Sequence, residues 1–284
     1  MDLNIVKSLQ MLRNPVTDWV VYMLTQLGDQ YAFIILAVIL YWVYDKKYAH
    51  KFAFTYMISA LFNTAIKEMI KRPRPYVAYP NDVSTEAKWL TDGYSFPSGH
   101  AQAAGVLGYT AYDLSKRFRM RWIWWVGIFI LVMVPLSRIY LGQHYLTDVV
   151  VGVLLSFGIA HVTFKLVDRM NDREELYTLI PIPIFLVLMI FIQNHTFYIA
   201  SGAFIGFAVG YFLEKRTVDY DVKNKPLIQV LKVLLGLIVT LAIKEGLKFV
   251  FPDLLVFDFI RYFLIGVWVA YGAPLIYKYV FRRH

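Results

Sequence analysis

Apolar residues run through this chain in long unbroken stretches, without the one-sided or alternating pattern of a soluble fold. A helix needs about 20 predominantly apolar residues to cross the hydrocarbon core of a bilayer. Stretches of that kind cover Leu27–Asp45, His50–Ile70, Gly99–Ser115, Trp122–Leu141, Tyr145–Val167, Thr178–Gln193, Thr196–Leu213, Leu227–Val250 and Phe257–Val280. Val16–Leu24 is apolar but short, and reads as a re-entrant or interfacial piece. Unpaired backbone groups in lipid cost several kcal/mol each, so such stretches must be helices. A transmembrane barrel would instead alternate apolar and polar positions along each strand. The expected fold is therefore all-α: a polytopic transmembrane helical bundle of about nine spans.

Composition supports a bilayer as the solvent. Hydrophobic residues make up 58% of the 284 and charged residues only 17%, against about 25% charged in an ordinary soluble domain. The net charge of +9 does not point to nucleic acid, because Lys and Arg fall in short clusters between apolar stretches, as loop charges of membrane proteins do. The chain has no cysteine, which excludes disulfides, thiolate metal sites and cysteine nucleophiles together. The segment MDLNIVKSLQMLRNP lacks the apolar core and small-residue cleavage site of a secretory signal. It reads as an amphipathic segment on the membrane, or as part of a short first span.

Positive charge also orients the spans. Alternate loops carry Lys46, Lys47 and Lys51; Lys116, Arg117, Arg119 and Arg121; Arg169 and Arg173; Lys215, Arg216, Lys223 and Lys225; and Arg282 and Arg283. With alternating spans all five clusters share one face, which is cytoplasmic by the positive-inside rule. The opposite, extracytoplasmic face holds residues 71–96, 142–144, 194–195 and 252–253. The first of these loops breaks the rule with Lys71, Arg72, Arg74 and Lys88. Cations held on the outer side call for a reason other than topology.

Three segments converge on that face: Lys67 to Pro75, Pro97-Ser98-Gly99-His100, and Ser137-Arg138 to His144 and Asp148. Lys67, Arg74 and Arg138 are three fixed cations, and arginine suits bidentate contact with phosphate oxygens. Ser98 and Gly99 precede a helix, where free N–H groups and the positive end of the dipole favour an anion. Together these residues describe a cradle for a tetrahedral oxyanion. His144 and Asp148 are spaced i, i+4 at a helix start, so they are expected on one face. The carboxylate then accepts a proton from one ring nitrogen and leaves the other as a lone-pair nucleophile. His100, from a different helix mouth, is free to act as general acid and then as base. No two-metal cluster and no cofactor-binding motif stand out. Singly, each residue has an ordinary explanation, such as a headgroup contact, a solvated histidine or a dipole partner. Their joint placement with complementary roles favours chemistry.

The three segments resemble the signatures of the type 2 phosphatidic acid phosphatase (PAP2) superfamily: K-x6-RP, PSGH and SR-x5-H-x3-D. Lys67 with Arg74-Pro75, Pro97–His100, and Ser137-Arg138, His144 and Asp148 match every defining position. Arg72-Pro73 has the wrong spacing for the first signature and reads as accessory. The resemblance implies a metal-independent, cofactor-free phosphatase with His144 as nucleophile, His100 as acid and base, and Asp148 holding the His144 tautomer. Lys67, Arg74, Ser98, Gly99 and Arg138 would bind the phosphate. Residues 1–168 would form the catalytic core and 169–284 additional transmembrane helices, a span count similar to the glucose-6-phosphatase branch.

The implied substrate is a membrane lipid phosphomonoester or diphosphate of the phosphatidic acid, phosphatidylglycerophosphate or polyprenyl diphosphate type, cleaved at the extracytoplasmic side of the cell membrane. Tyr76, Tyr79, Trp89, Tyr94 and Phe96 fit an interfacial headgroup pocket. A soluble sugar phosphate is the alternative substrate, and a transporter without hydrolysis the alternative class. Transporters gather polar groups near the midplane and in both halves, whereas here they sit at the outer rim of one half. In the C-terminal part, Ala242-Ile243-Lys244-Glu245 echoes Ala65-Ile66-Lys67-Glu68. Lys244, Glu245, Lys248 and Arg261 there are either headgroup contacts or snorkelling side chains.

Overall fold

The computed structural model describes residues 2–86, 91, 93–170 and 172–281. Among them every regular element is a helix. Lys88, Trp89, Arg282 and Arg283 lie outside the described residues. The helices used below are α1 (Asp2–Gln10), α2 (Pro15–Thr25), α3 (Gln30–Ile39), α4 (Lys46–Ile70), α5 (Pro75–Ala78), α6 (Gly99–Phe118), α7 (Arg121–Tyr140) and α8 (Leu146–Arg169). They are followed by α9 (Glu174–Tyr177), α10 (Ile182–Phe191), α11 (His195–Leu213), α12 (Pro226–Val250), α13 (Leu255–Val267) and α14 (Ala273–Val280).

Six helical stretches among the described residues are long and apolar enough to cross a membrane: Arg121–Tyr140, Leu146–Arg169, Glu174–Phe191, His195–Val218, Pro226–Val250 and Leu255–Val280. A seventh candidate is the pair Pro15–Gly28 and Gln30–Tyr44, bent by 48° at its break. The short apolar piece at Val16–Leu24 is thus the first arm of a broken span or re-entrant loop. Helices α4, with 25 residues, and α6, with 20, match spans in length. They fall short in apolarity because their polar residues point inward. Thr55, Ser59 and Asn63 of α4, and Gln102 and Thr110 of α6, are all buried. Large apolar side chains meanwhile face outward, Trp125, Leu154 and Phe249 among them. Such exposure suits lipid and would be a liability in water. This is a multi-pass membrane protein.

The chain folds as two compact units, interleaved in sequence. One comprises Met1–Ile34 and Phe62–Thr163; the other comprises Ile35–Leu61 and Phe164–His284.

In the first unit, close approach of helices fixes α6. A side chain on Gly152 of α8 would collide with the Ser98 carbonyl at 2.8 Å, and one on Gly105 would meet the Val153 carbonyl at 2.8 Å. The α7–α8 turn depends on Gly142, whose φ of +71° is easy only for glycine. A Cβ there would also strike Val83 at 2.7 Å and Gln10 at 2.9 Å. Helix α1 packs against the same turn. Val6 is buried with Val83, Ile139, Tyr145 and Val149. The Gln10 amide donates to the Tyr140 carbonyl at 3.2 Å and to the Ser84 carbonyl at 2.8 Å. The N-terminal segment is therefore a short amphipathic helix seated on the loop around Val83 and Ser84 of its own unit.

In the second unit, α11 and α13 lie in close backbone contact. Gly202, Gly206 and Gly210 repeat every four residues along α11. A Cβ at Gly202 would run into the Phe259 carbonyl, and one at Gly206 into that of Phe263. Without a hydrophobic drive between helices in lipid, small residues at four-residue spacing let backbones pack by van der Waals contact. A wide helical turn at Trp268–Gly272 opens the carbonyls of Val269 and Ala270. Trp42 donates to the first at 2.9 Å and Tyr41 to the second at 3.0 Å.

Candidate active site

The three sequence segments meet within the first unit. Ser98 caps α6: its backbone is extended, and its hydroxyl accepts from the Ala101 N–H at 3.4 Å. The Ser98 N–H in turn donates to the Asp148 carbonyl at 3.0 Å. The PSGH segment is thereby tied to the start of α8. Gly99 is exposed with open space around it, so the first backbone of α6 faces outward at the positive end of its dipole.

His144 lies in the turn before α8, two residues ahead of its first helical residue, Leu146. The reason is local: the Asp148 carboxylate accepts from the Tyr145 N–H at 2.8 Å. It reaches back from the third helical position to cap the helix start. The two side chains remain neighbours despite that placement. His144 Nδ1 lies 3.5 Å from Asp148 Oδ2 and is buried without a hydrogen-bond partner among the described residues. Arg74 Nη1 lies 3.1 Å from His144 Nε2. A guanidinium can only donate, so Nε2 carries the lone pair and Nδ1 the proton, facing the carboxylate.

Both residues are almost wholly buried. Burial first, then the Arg74, Lys67 and Arg138 cations, hold the His144 imidazole well below the usual histidine pKa. That environment favours the neutral form of the ring.

The cations ring the same point. Arg74 is anchored by Nε to the Gly93 carbonyl at 2.9 Å and by Nη1 to the Gln143 carbonyl at 3.3 Å. Lys67 donates to the Tyr94 carbonyl at 2.7 Å. Arg138 donates to Thr25 at 3.2 Å and to Thr91 at 3.4 Å. Its Nε is buried without a hydrogen-bond partner among the described residues. Buried charged donors are rarely left so, and a phosphate oxygen would satisfy this one. His100 feels Arg138, His144, Arg74 and Lys67 through their charges. The structure thus gathers all eight predicted site residues, although the Ser98 side chain serves first as a helix cap.

Three further residues carry no mark in the sequence pattern. Arg72, read from spacing as accessory, donates to Asp148 Oδ1 at 2.7 Å. It also donates to Thr147 at 2.6 Å and to Asp2 at 3.1 Å, and its guanidinium lies over the Tyr145 ring. Arg72 is thus the counter-charge of a wholly buried carboxylate. Ser95 donates its hydroxyl to Asp148 Oδ2. Asp29, at the α2–α3 break, sets Oδ2 at 4.0 Å from His100 Nε2. The doubled Arg-Pro was the one available signal, since a second arginine beside a motif arginine needs its own anion.

Comparison with known proteins agrees with this geometry. The PAP2 superfamily model matches residues 48–172, and a PAP2 superfamily phosphatase transmembrane extension matches residues 198–281. The chain belongs to the PAP2 superfamily. Phosphatidylglycerophosphatase B of Bacillus subtilis is 34% identical over 119 residues, covering 40% of this chain and 53% of that protein. Sphingosine-1-phosphate phosphatase 2 of Mus musculus is 23% identical over 72% of this chain, which spans 61% of that relative's length. Undecaprenyl-diphosphatase BcrC of Bacillus subtilis is 28% identical, over 57% of this chain and 81% of that protein. Among solved structures, a PAP2 type phosphatidylglycerolphosphate phosphatase from Bacillus subtilis aligns at a TM-score of 0.51 with 27% identity. That alignment covers 61% of this chain and 86% of the other.

In and just before the PAP2 extension, ionisable residues pair with one another. Lys244 meets Glu245 at 3.1 Å, while His195 and Arg261 each contact Asp258 at 2.5 Å. His195, Asp253 and Asp258 have ligand atoms within 4.8 Å of one another. Arg261 already occupies one oxygen of Asp258, which disfavours a cation there.

Proposed function

We propose that this PAP2 protein is a lipid phosphatase that works through a phosphohistidine on His144. One observation carries the assignment: His144 Nε2 points its lone pair at Arg74, a phosphate-binding group, while Nδ1 faces a buried carboxylate. A phosphate bound by Arg74 would sit directly in front of the nucleophile.

The steps follow from that placement. Arg74 turns from Nε2 to a phosphate oxygen as substrate enters. His144 Nε2 then forms a bond to phosphorus as the bond to the leaving oxygen breaks, and His100 gives that oxygen its proton. Asp148 stabilises the positive charge that appears on the His144 ring. Lys67, Arg74, Arg138 and the Ser98–Gly99 backbone meet the charge spread over the equatorial oxygens. In the second half, His100 takes a proton from water as the water oxygen bonds phosphorus. The N–P bond breaks, and inorganic phosphate and neutral His144 are released. In this scheme the protein's own cations neutralise the phosphate.

A lipid substrate is favoured by the outward apolar surface and by the similar proteins, which are named for sphingosine 1-phosphate, undecaprenyl diphosphate and phosphatidylglycerophosphate. Adding α4 and α6 to the six apolar helices and the bent pair gives nine spans. Counted so, the positively charged loops fall together, and the site faces the extracytoplasmic side of the cell membrane. The linear division into a catalytic core over 1–168 and added helices over 169–284 belongs to the same proposal.

The test is phosphate release by detergent-purified protein in EDTA. The substrates are phosphatidic acid, phosphatidylglycerophosphate, sphingosine 1-phosphate, polyprenyl diphosphate and glucose 6-phosphate, with His144→Ala as control. Release from a lipid that vanishes in the variant supports the proposal. Release from glucose 6-phosphate alone would replace the lipid with a soluble substrate, and no release at all would refute it.

A further inference from the structure

The broken helix that precedes the family-matched region presses on the general acid. Gln26–Gly28 tightens into a 3-10 turn, and α3 starts again at Gln30 after a 48° bend. Gly28 sits at the bend because nothing larger fits. A Cβ there would lie 2.9 Å from the His100 carbonyl and 2.5 Å from Val134. The next residue, Asp29, uses Oδ1 to accept the Tyr31 N–H at 2.8 Å, capping α3. That hydrogen bond fixes the carboxylate and turns Oδ2 toward His100 Nε2 at 4.0 Å. Thr25, one turn earlier, accepts from Arg138. The whole segment lies outside residues 48–172, so the PAP2 signatures do not include it.

We propose that Asp29 is a positioning residue for His100, its carboxylate orienting Nε2 toward the leaving oxygen and opposing the loss of the proton that the ring must donate. This rests on the phosphatase assignment above. At 4.0 Å the carboxylate stabilises the imidazolium without taking its N–H in a strong hydrogen bond, so the proton stays available. The need for it is plain from the neighbours. The charged and titratable groups facing His100 from the other elements are Lys67 on α4, Arg74 before α5, Arg138 on α7 and His144 in the α7–α8 turn. Burial of the ring opposes a proton first, and the positive charge of Arg138, Arg74 and Lys67 opposes it further. Asp29 supplies the opposite charge, and a carboxylate within about 4–6 Å raises the protonated fraction by about one to three pH units' worth. With roughly a quarter of its side chain exposed, Asp29 belongs at the low end, about one.

Asp29→Asn tests this cleanly, because asparagine caps a helix as well as aspartate does and only the charge is lost. The expected result is a fall of about tenfold in kcat/KM at about pH 8 for an alkyl phosphate such as phosphatidic acid, the equivalent of about one pH unit. The loss should shrink at lower pH, as the alkaline limb moves down by about one unit. For p-nitrophenyl phosphate, whose leaving group needs no acid, the change should stay below about twofold. Asp29→Glu should restore the limb, and Asp29→Asn should add nothing in a His100→Ala background. Equal losses on both substrates, or losses additive with His100→Ala, would overturn the proposal. So would a several-fold change in inhibition by inorganic phosphate with the pH profile unmoved, which would hand Asp29 to Arg138 instead.

A second readout does not depend on turnover. Histidine ring nitrogen signals of the detergent-solubilised protein, assigned with His100→Ala, should show the His100 titration midpoint about one unit lower in Asp29→Asn. An unchanged midpoint sinks the proposal. If the wild type hydrolyses nothing, the phosphatase assignment falls, and this titration alone decides whether Asp29 and His100 are coupled.

Discussion

Replacing Arg72 tests the least expected feature of the site, the ion pair behind the nucleophile. Asp148 is completely buried and its carboxylate meets Arg72 Nη1 at 2.7 Å. Arg72→Met keeps the stem that packs on Tyr145 and removes the charge. A hydrogen bond between charged groups contributes about 1.5–3 kcal/mol. The more exposed contact to Asp2 adds about 0–1 kcal/mol, and the loss of the cation over the ring about 0.5–1 kcal/mol. The sum is about 2–5 kcal/mol. We expect the lower half, because Arg72 is itself about 29% exposed and water partly replaces it. Ser95 and the Tyr145 N–H also still hold Asp148. The assay is thermal unfolding of detergent-purified protein beside phosphate release. Arg72→Met should melt several degrees lower and lose about tenfold or more in kcat, since an unneutralised Asp148 favours a proton on the His144 ring. The decisive comparison is the double variant Arg72→Met with Asp148→Asn. With no carboxylate left to neutralise, the arginine should matter far less, so the two losses should fall short of additive by more than about 1 kcal/mol. Strict additivity would falsify the pairing as an energetic unit and leave Arg72 a surface residue.

Other outcomes follow from the same geometry. His144→Ala should abolish turnover, and rapid acid-sensitive, alkali-stable labelling from a phosphorylated substrate should disappear with it. A surviving label would move the nucleophile elsewhere. Because His144 is held well below the ordinary histidine value by burial and by Arg74, Lys67 and Arg138, it gains a proton only as pH falls through that depressed value. The acid limb of kcat/KM should therefore lie below about pH 6.5, and a limb at or above that value would contradict the environment described. His100→Ala should cost more on alkyl than on activated aryl phosphates, and equal losses would remove it as the acid. In the extension, Gly206→Leu places side-chain atoms where the Phe263 carbonyl already sits. It should destabilise by at least about 1–3 kcal/mol through overpacking, read as a lower melting temperature. A wild-type melt would mean that α11 and α13 do not need this contact.

The membrane class was legible because it rests on a local rule: length and apolarity specify a span. The three ordered segments carried the family resemblance, and the structure brings them together in one unit. What hydropathy could not separate was an apolar helix facing lipid from a helix buried in the bundle. Helices α4 and α6 keep a span's length while turning Thr55, Ser59, Asn63 and Gln102 inward. The four-residue repeat of Gly202, Gly206 and Gly210 was also a readable signal, and it corresponds to the closest backbone packing in the extension. Arg72 and Asp29 were hidden for a different reason. Their roles come from contacts 76 residues away for Arg72 with Asp148, and across the α2–α3 break for Asp29, and no spacing within one segment encodes such a partner.

In the mechanism proposed above, two histidines do opposite things at one phosphate: His144 has to be neutral when His100 is charged. Burial and the same three cations act on both rings, and together they favour the neutral form of both. The carboxylates break that symmetry through the company each keeps. Asp148 is buried, and its charge is spent on Arg72, Ser95 and the Tyr145 N–H. It can orient His144 and stabilise a charge that arrives during phosphoryl transfer, without pulling a proton onto the ring beforehand. Asp29 is partly exposed, and its Oδ1 is committed to a helix cap while Oδ2 faces the imidazole. Its remaining charge is free to favour a proton on His100 before the substrate arrives. Exchanging those circumstances should exchange the roles. A variant that strips Arg72 from Asp148 and the charge from Asp29 should leave His144 too readily protonated and His100 too rarely so. Its pH profile should then narrow from both sides, the acid limb moving up and the alkaline limb moving down. A profile that merely fell in height, with both limbs in place, would show that these carboxylates shape the site without setting its proton inventory.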